Sequence, residues 1–138
     1  MAQMRNQPEP LPRGVMIGVS WSFGAPTFGT REAFEESVRA YQVQIRGEDT
    51  WNPDEVVIPR PQVKVMYRTW IRGKEAEPVV ELLADNGASF TAGELLFKVH
   101  RAVADNLRKR DHKFFWGFRL SGDPGINEVP LYYMRLGS

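Results

Sequence analysis

The sequence predicts an α+β domain: a mostly antiparallel five-stranded sheet with two helices on one face, in the order β-α-β-β-α-β-β. Three observations carry this expectation. Apolar residues alternate at every second position in several short stretches, as a strand with one buried face requires. Two other stretches repeat apolar residues at helical spacing behind a capping residue. Breaks rich in Gly, Pro, Asn and Asp separate them.

The elements follow in order. Met1–Gly14 holds three prolines and several polar residues, with no apolar run of signal-peptide length, and is expected to be a flexible arm preceding one domain over 15–138. Val15, Ile17, Val19, Trp21 and Phe23 alternate as the first strand. Thr30 is placed to cap a helix in which Phe34, Val38, Tyr41 and Ile45 recur, and Gly47 is placed to stop it. The loop that precedes this helix contains Gly24 and Gly29 but lacks the order of a phosphate-binding loop, so loop closure is its reading.

Val63, Val65, Tyr67, Thr69 and Ile71 alternate with Lys64, Met66, Arg68, Trp70 and Arg72 in the clearest strand. A turn at Arg72-Gly73-Lys74 leads to a returning strand over Pro78–Ala84, which ends at Asp85-Asn86-Gly87. Thr91 and Glu94 form a capping-box pattern, with Phe90 before it as a staple against Leu95. The second helix then aligns Leu95, Leu96, Val99, Val103 and Leu107, and His100 reads as a surface or boundary residue beside that stripe. Phe114, Trp116, Phe118 and Leu120 alternate in the next strand, and a last strand spans Val129–Leu136.

Composition narrows the chemistry. The 138 residues suit one domain, and four Trp, eight Phe and four Tyr can fill its core. With no Cys in the chain, thiol catalysis and Cys-ligated metals are excluded. A formal net charge of +1 is too small to suggest a dedicated nucleic-acid or membrane binder from charge alone. No apolar stretch is long enough to span a bilayer, and a cytoplasmic location is the expectation. Two His residues without ligand spacing give no case for a metal, and no cofactor motif occurs.

Three places could carry function. If the helices cover Val63, Val65, Tyr67 and Ile71, the opposite face of that strand offers Arg68, Trp70 and Arg72 to a partner, residue types enriched in binding hot spots. The alternatives are that loops or a symmetric subunit cover that face, or that Trp70 and Met66 belong to the core and the other face is outside. A pocket between the second helix and the C-terminal strands would use His112 as acid or base beside Asp111, with Arg101 or Arg119 holding an anion. A structural role for His112 at the helix end competes with it. Residues 98–119 hold seven cations against two carboxylates, interleaved with Phe114, Phe115 and Trp116, the composition of a single-stranded nucleic-acid site or of a solvated helix end before a core strand.

The runs Phe90–His100, Asp111–Phe118 and Pro130–Ser138 resemble small bacterial immunity proteins of polymorphic toxin systems. That resemblance covers about the last third and implies a non-enzymatic protein that binds a cognate toxin and blocks it by steric occlusion. It carries no site residues with it. The leading expectation is therefore a protein-binding module presenting Arg68, Trp70 and Arg72. An enzyme or anion-binding domain around His112 is the runner-up, and homo-oligomerisation through an open sheet face is compatible with each reading.

Overall fold

The computed structural model describes residues 9–125 and 127–138. Its strands are β1 (Gly14–Val15), β2 (Trp21–Ser22), β3 (Val56–Ile58), β4 (Gln62–Met66), β5 (Thr69–Ile71), β6 (Lys74–Ala76), β7 (Val79–Leu83), β8 (Phe90–Thr91), β9 (Phe114–Leu120) and β10 (Leu131–Gly137), and its helices are α1 (Arg31–Arg46) and α2 (Ala92–Leu107). The main sheet runs β1-β9-β10-β4-β7, with β2 also paired to β9. Two small antiparallel pairs, β3 with β8 and β5 with β6, flank it.

The fold is α+β as expected, but the sheet is mixed and has six strands. β10 lies parallel to β4, while the other pairs of the main sheet are antiparallel. The sixth strand arises because Val15–Phe23 is not continuous. Met16 has a left-handed φ of 54°, the N–H of Val19 donates to its carbonyl at 3.2 Å, and the chain turns before resuming at Trp21. Val15, Val19, Trp21 and Phe23 remain buried, whereas Ile17 is carried to the surface.

The long strand predicted over Val63–Arg72 is likewise divided. β4 and β7 form one stretch of hairpin and β5 and β6 the next, with a break around Tyr67 and Arg68. Arg72 (φ 52°) and Gly73 (φ 78°) supply the two left-handed residues of the tight turn that matches the twist of a hairpin. Arg72 thus belongs to the turn and not to the strand face shared by Trp70.

Both helix starts follow the capping logic of the sequence. Thr30 Oγ1 accepts from the Ala33 N–H, and Thr91 Oγ1 from the Glu94 N–H, each at 3.2 Å. Gly47, at φ 79°, ends α1 with its N–H on the Val43 carbonyl. The second half of the capping box is diverted: the Glu94 carboxylate accepts from the Asp85 N–H at 2.7 Å and pairs with Lys98 at 2.8 Å. Glu94 therefore ties α2 to the end of β7.

One core fills the space between the helices and one sheet face. Phe34 and Val38 of α1, Leu95, Leu96, Val99, Val103 and Leu107 of α2, and Val63, Val65, Phe118, Tyr132 and Met134 of the sheet are all buried. Of the expected arm, residues 1–8 lie outside the described residues. Residues 9–14 run along the body, where Tyr132 Oη donates to the Pro12 carbonyl at 2.7 Å and the Leu120 N–H to the Arg13 carbonyl at 2.8 Å. Burial pushes the Tyr132 hydroxyl up to about 12. No helix among the described residues is long and apolar enough to cross a membrane.

Candidate functional site

The end of α2 is stapled to the base of the β5–β6 hairpin. Thr69 Oγ1 donates to the Asn106 carbonyl at 3.1 Å, and Asn106 Nδ2 donates to Tyr67 Oη at 2.9 Å. Beyond the staple, residues 109–113 cross toward β9. They leave a cleft of about 610 Å³ bounded by the hairpin, this crossing and β10.

Six side chains give the cleft its character: Arg68, Trp70, Lys109, Arg110, His112 and Arg135. Glu75 and Asp111 are the only carboxylates that line it among the described residues, against four guanidinium or ammonium groups. Arg110 Nη2 donates to the Trp70 carbonyl at 2.7 Å, which spans the cleft and fixes one guanidinium at its wall. Arg68 Nη2 meets Glu75 Oε2 at 3.3 Å, an exposed pair whose screening keeps it weak. Trp70 is 47% exposed and belongs to the surface, not the core. A half-open aromatic wall with an excess of cations suits an anionic partner that also offers apolar surface.

The structure merges two of the sequence-derived sites and leaves three of their expected members, Arg72, Arg101 and Arg119, outside. Arg68 and Trp70 of the expected partner face share one cleft with Asp111 and His112 of the expected pocket, although some forty residues separate them along the chain. Arg72, in the turn, does not line it. Arg101 lies over the Phe97 ring, 5.5 Å from its centroid, and Arg119 sits on β9 opposite Gly14 and Tyr133. Neither Arg reaches the cleft, so the convergence that acid–base chemistry at His112 would need from them is not formed. Among the described residues no hydrogen bond joins Asp111 to His112, and no group of three His, Asp or Glu is placed to hold a metal ion.

His100 corrects the expectation of a surface or boundary residue: its exposure is 0%. Trp21 Nε1 donates to its Nδ1 at 3.1 Å, so the proton sits on Nε2, which lies 3.0 Å from the Pro26 carbonyl and donates to it. The rings of Trp21, Phe23, Phe28 and Phe34 surround the imidazole at 5.4–5.8 Å. Burial holds its pKa below the ordinary 6.5, opposed by the bond to Pro26 and reinforced by the Arg108 charge. The signal was in the spacing, because Leu96, His100, Val103 and Leu107 recur at four, three and four residues on the buried stripe of α2.

Trp116, like Ile17, departs from the alternating pattern. β9 carries one extra residue opposite β10, since Met134 pairs with Phe118 but Leu136 with Phe115. Gly117, at φ 103°, absorbs this bulge. Phe115 is turned into the core in consequence, and Trp116 is turned out to 56% exposure.

No protein-family model, curated protein or solved structure matches the chain. The cleft and the residues around it are what a functional reading has to stand on.

Proposed function

We propose that the protein is a non-enzymatic binding module that seats an acidic segment of a protein partner in the basic cleft. The observation that carries the reading is the convergence of Arg68 and Trp70 from the hairpin with Arg110 and His112 from the segment after α2. An exposed Trp ringed by guanidinium groups is the composition of an interface hot spot, where the aromatic ring supplies contact area and the charges set orientation. Arg110, already bonded to the Trp70 carbonyl, loses little freedom when a carboxylate arrives.

The resemblance to immunity proteins extends the proposal to the kind of partner: a toxin whose own site is covered when its acidic rim docks here, so that inhibition is steric. The test is a pull-down with tagged protein from its native cell, repeated with Trp70→Ala. Loss of one specific partner by the variant, with the thermal midpoint unchanged, supports the reading. An equal loss of binding and stability returns Trp70 to a packing role. Capture that survives the substitution removes the cleft from the interface.

A further inference from the structure

The bulge in β9 does more than shift register. A Cβ on Gly117 would come within 2.6 Å of Ile17 Cδ1, and a Cβ on Gly137 would meet Trp116 Cε2, Cζ2 and Nε1 at 2.6–2.7 Å. Two glycines thus let the Trp116 indole turn outward and rest against the backbone of β10. An exposed Trp held in this way is preorganised for contact, since little rotamer freedom remains to be lost.

Trp116 forms a wall of a second cavity, about 550 Å³, shared with Ile17, Tyr41, Ile45, Arg46 and Arg135. Ile17 and Ile45 are exposed there, and Arg46 is anchored by Ser20 Oγ at 3.1 Å. Among the described residues no Asp or Glu side chain lines this cavity. Arg135 lines both it and the basic cleft, so the two are contiguous along β10.

We infer that the two cavities are one docking surface for an extended acidic peptide segment, with carboxylates around Arg68 and Arg110, an apolar side chain against Trp116, Ile17 and Ile45, and Arg135 at the crossing. The inference rests on the cleft being the binding site. Charge selects the occupant: cations line both cavities, and among the described residues the only Asp and Glu side chains lining either are Glu75 and Asp111. The aliphatic walls that Ile17 and Ile45 form beside Trp116 favour a peptide side chain over a nucleobase.

The chain has four Trp, of which Trp21 and Trp51 are buried and Trp70 and Trp116 exposed, so its indole N–H resonances report the two cavities separately. After assignment with Trp70→Phe and Trp116→Phe, the protein is titrated with a synthetic peptide in which Glu and Asp precede Leu and Phe, then with its Lys-substituted counterpart and with oligothymidylate. The expected result is that the acidic peptide moves the Trp70 and Trp116 signals together, that the Lys peptide moves neither, and that Trp116→Ala or Arg135→Gln raises Kd about tenfold. Movement of Trp70 alone overturns the joint surface and leaves the cleft reading standing. Movement of neither removes both. Shifts with oligothymidylate and none with the acidic peptide make the surface a nucleic-acid site and overturn the inference.

Discussion

His100 lies within α2 and His112 beyond its end, and their surroundings are opposite. His100 is enclosed by aromatic rings with both nitrogens committed to hydrogen bonds, and its neutral form is part of the packing. His112 lines an open cleft among Arg68, Lys109, Arg110 and Arg135. The same division separates Trp21 from Trp70, the first buried against His100 and the second exposed beside Arg110. One side chain type therefore serves as structure in one region and as presented surface in the other, and the environment decides which.

The largest effect that would sharpen this contrast is on stability. Trp21 packs on Phe28, Phe34, Tyr41 and His100, so Trp21→Ala is expected to cost about 3–5 kcal/mol through the cavity it leaves. It also strips His100 Nδ1 of its donor. Trp70→Ala should stay within about 0.5 kcal/mol, as a surface truncation does. Urea unfolding of both variants measures the difference. Similar losses would mean that Trp70 is packed as deeply as Trp21 and would dissolve the contrast.

The next effect is pH-dependent and smaller. The folded-state pKa of His100 is lowered from 6.5, so below that value the unfolded chain takes up a proton that the native state resists. Its contribution to stability is whole above 6.5 and declines as pH falls from there through the depressed native value. Asp49 and Asp85 are held below 3.8 by their hydrogen bonds and by neighbouring cations, so they act in a more acid window. Denaturant midpoints measured between neutrality and pH 5 should fall for the wild type and should flatten for His100→Gln. A slope that survives His100→Gln unchanged would remove His100 from the groups whose neutral form the fold requires.

What could be read along the chain is what local chemistry decides. Thr30, Gly47 and Thr91 announced the helix boundaries because a cap is a contact among neighbours in sequence. The turn at Arg72 and Gly73 was legible for the same reason. Alternation failed at Met16 and Gly117, where one left-handed residue shifts the side-chain phase and sends Ile17 and Trp116 outward. The parallel pairing of β10 with β4 and the meeting of Trp70 with His112 depend on strand order, which no local period encodes. The burial of His100 is hidden from local pattern because a polar side chain sits on the apolar stripe only with the help of Trp21 and Pro26, which lie far away in sequence.

The smallest expected effect tests whether the cleft wall is structure or presentation. Arg68 and Glu75 meet at 3.3 Å with both side chains largely in solvent, so Glu75→Gln should change stability by less than about 0.5 kcal/mol. It removes one of the two carboxylates that line the cleft among the described residues and releases Arg68, so affinity for an acidic peptide should rise a fewfold, more at low salt than at high. Arg68→Gln should lower affinity with equally little change in folding. A substantial loss of stability in either variant would mean that the ion pair holds the β5–β6 hairpin in place and that Arg68 belongs with Trp21 and His100, among the residues that build the fold. Opposite shifts in affinity on an unchanged fold are the signature of a surface whose charges are spent on a partner and not on the chain itself.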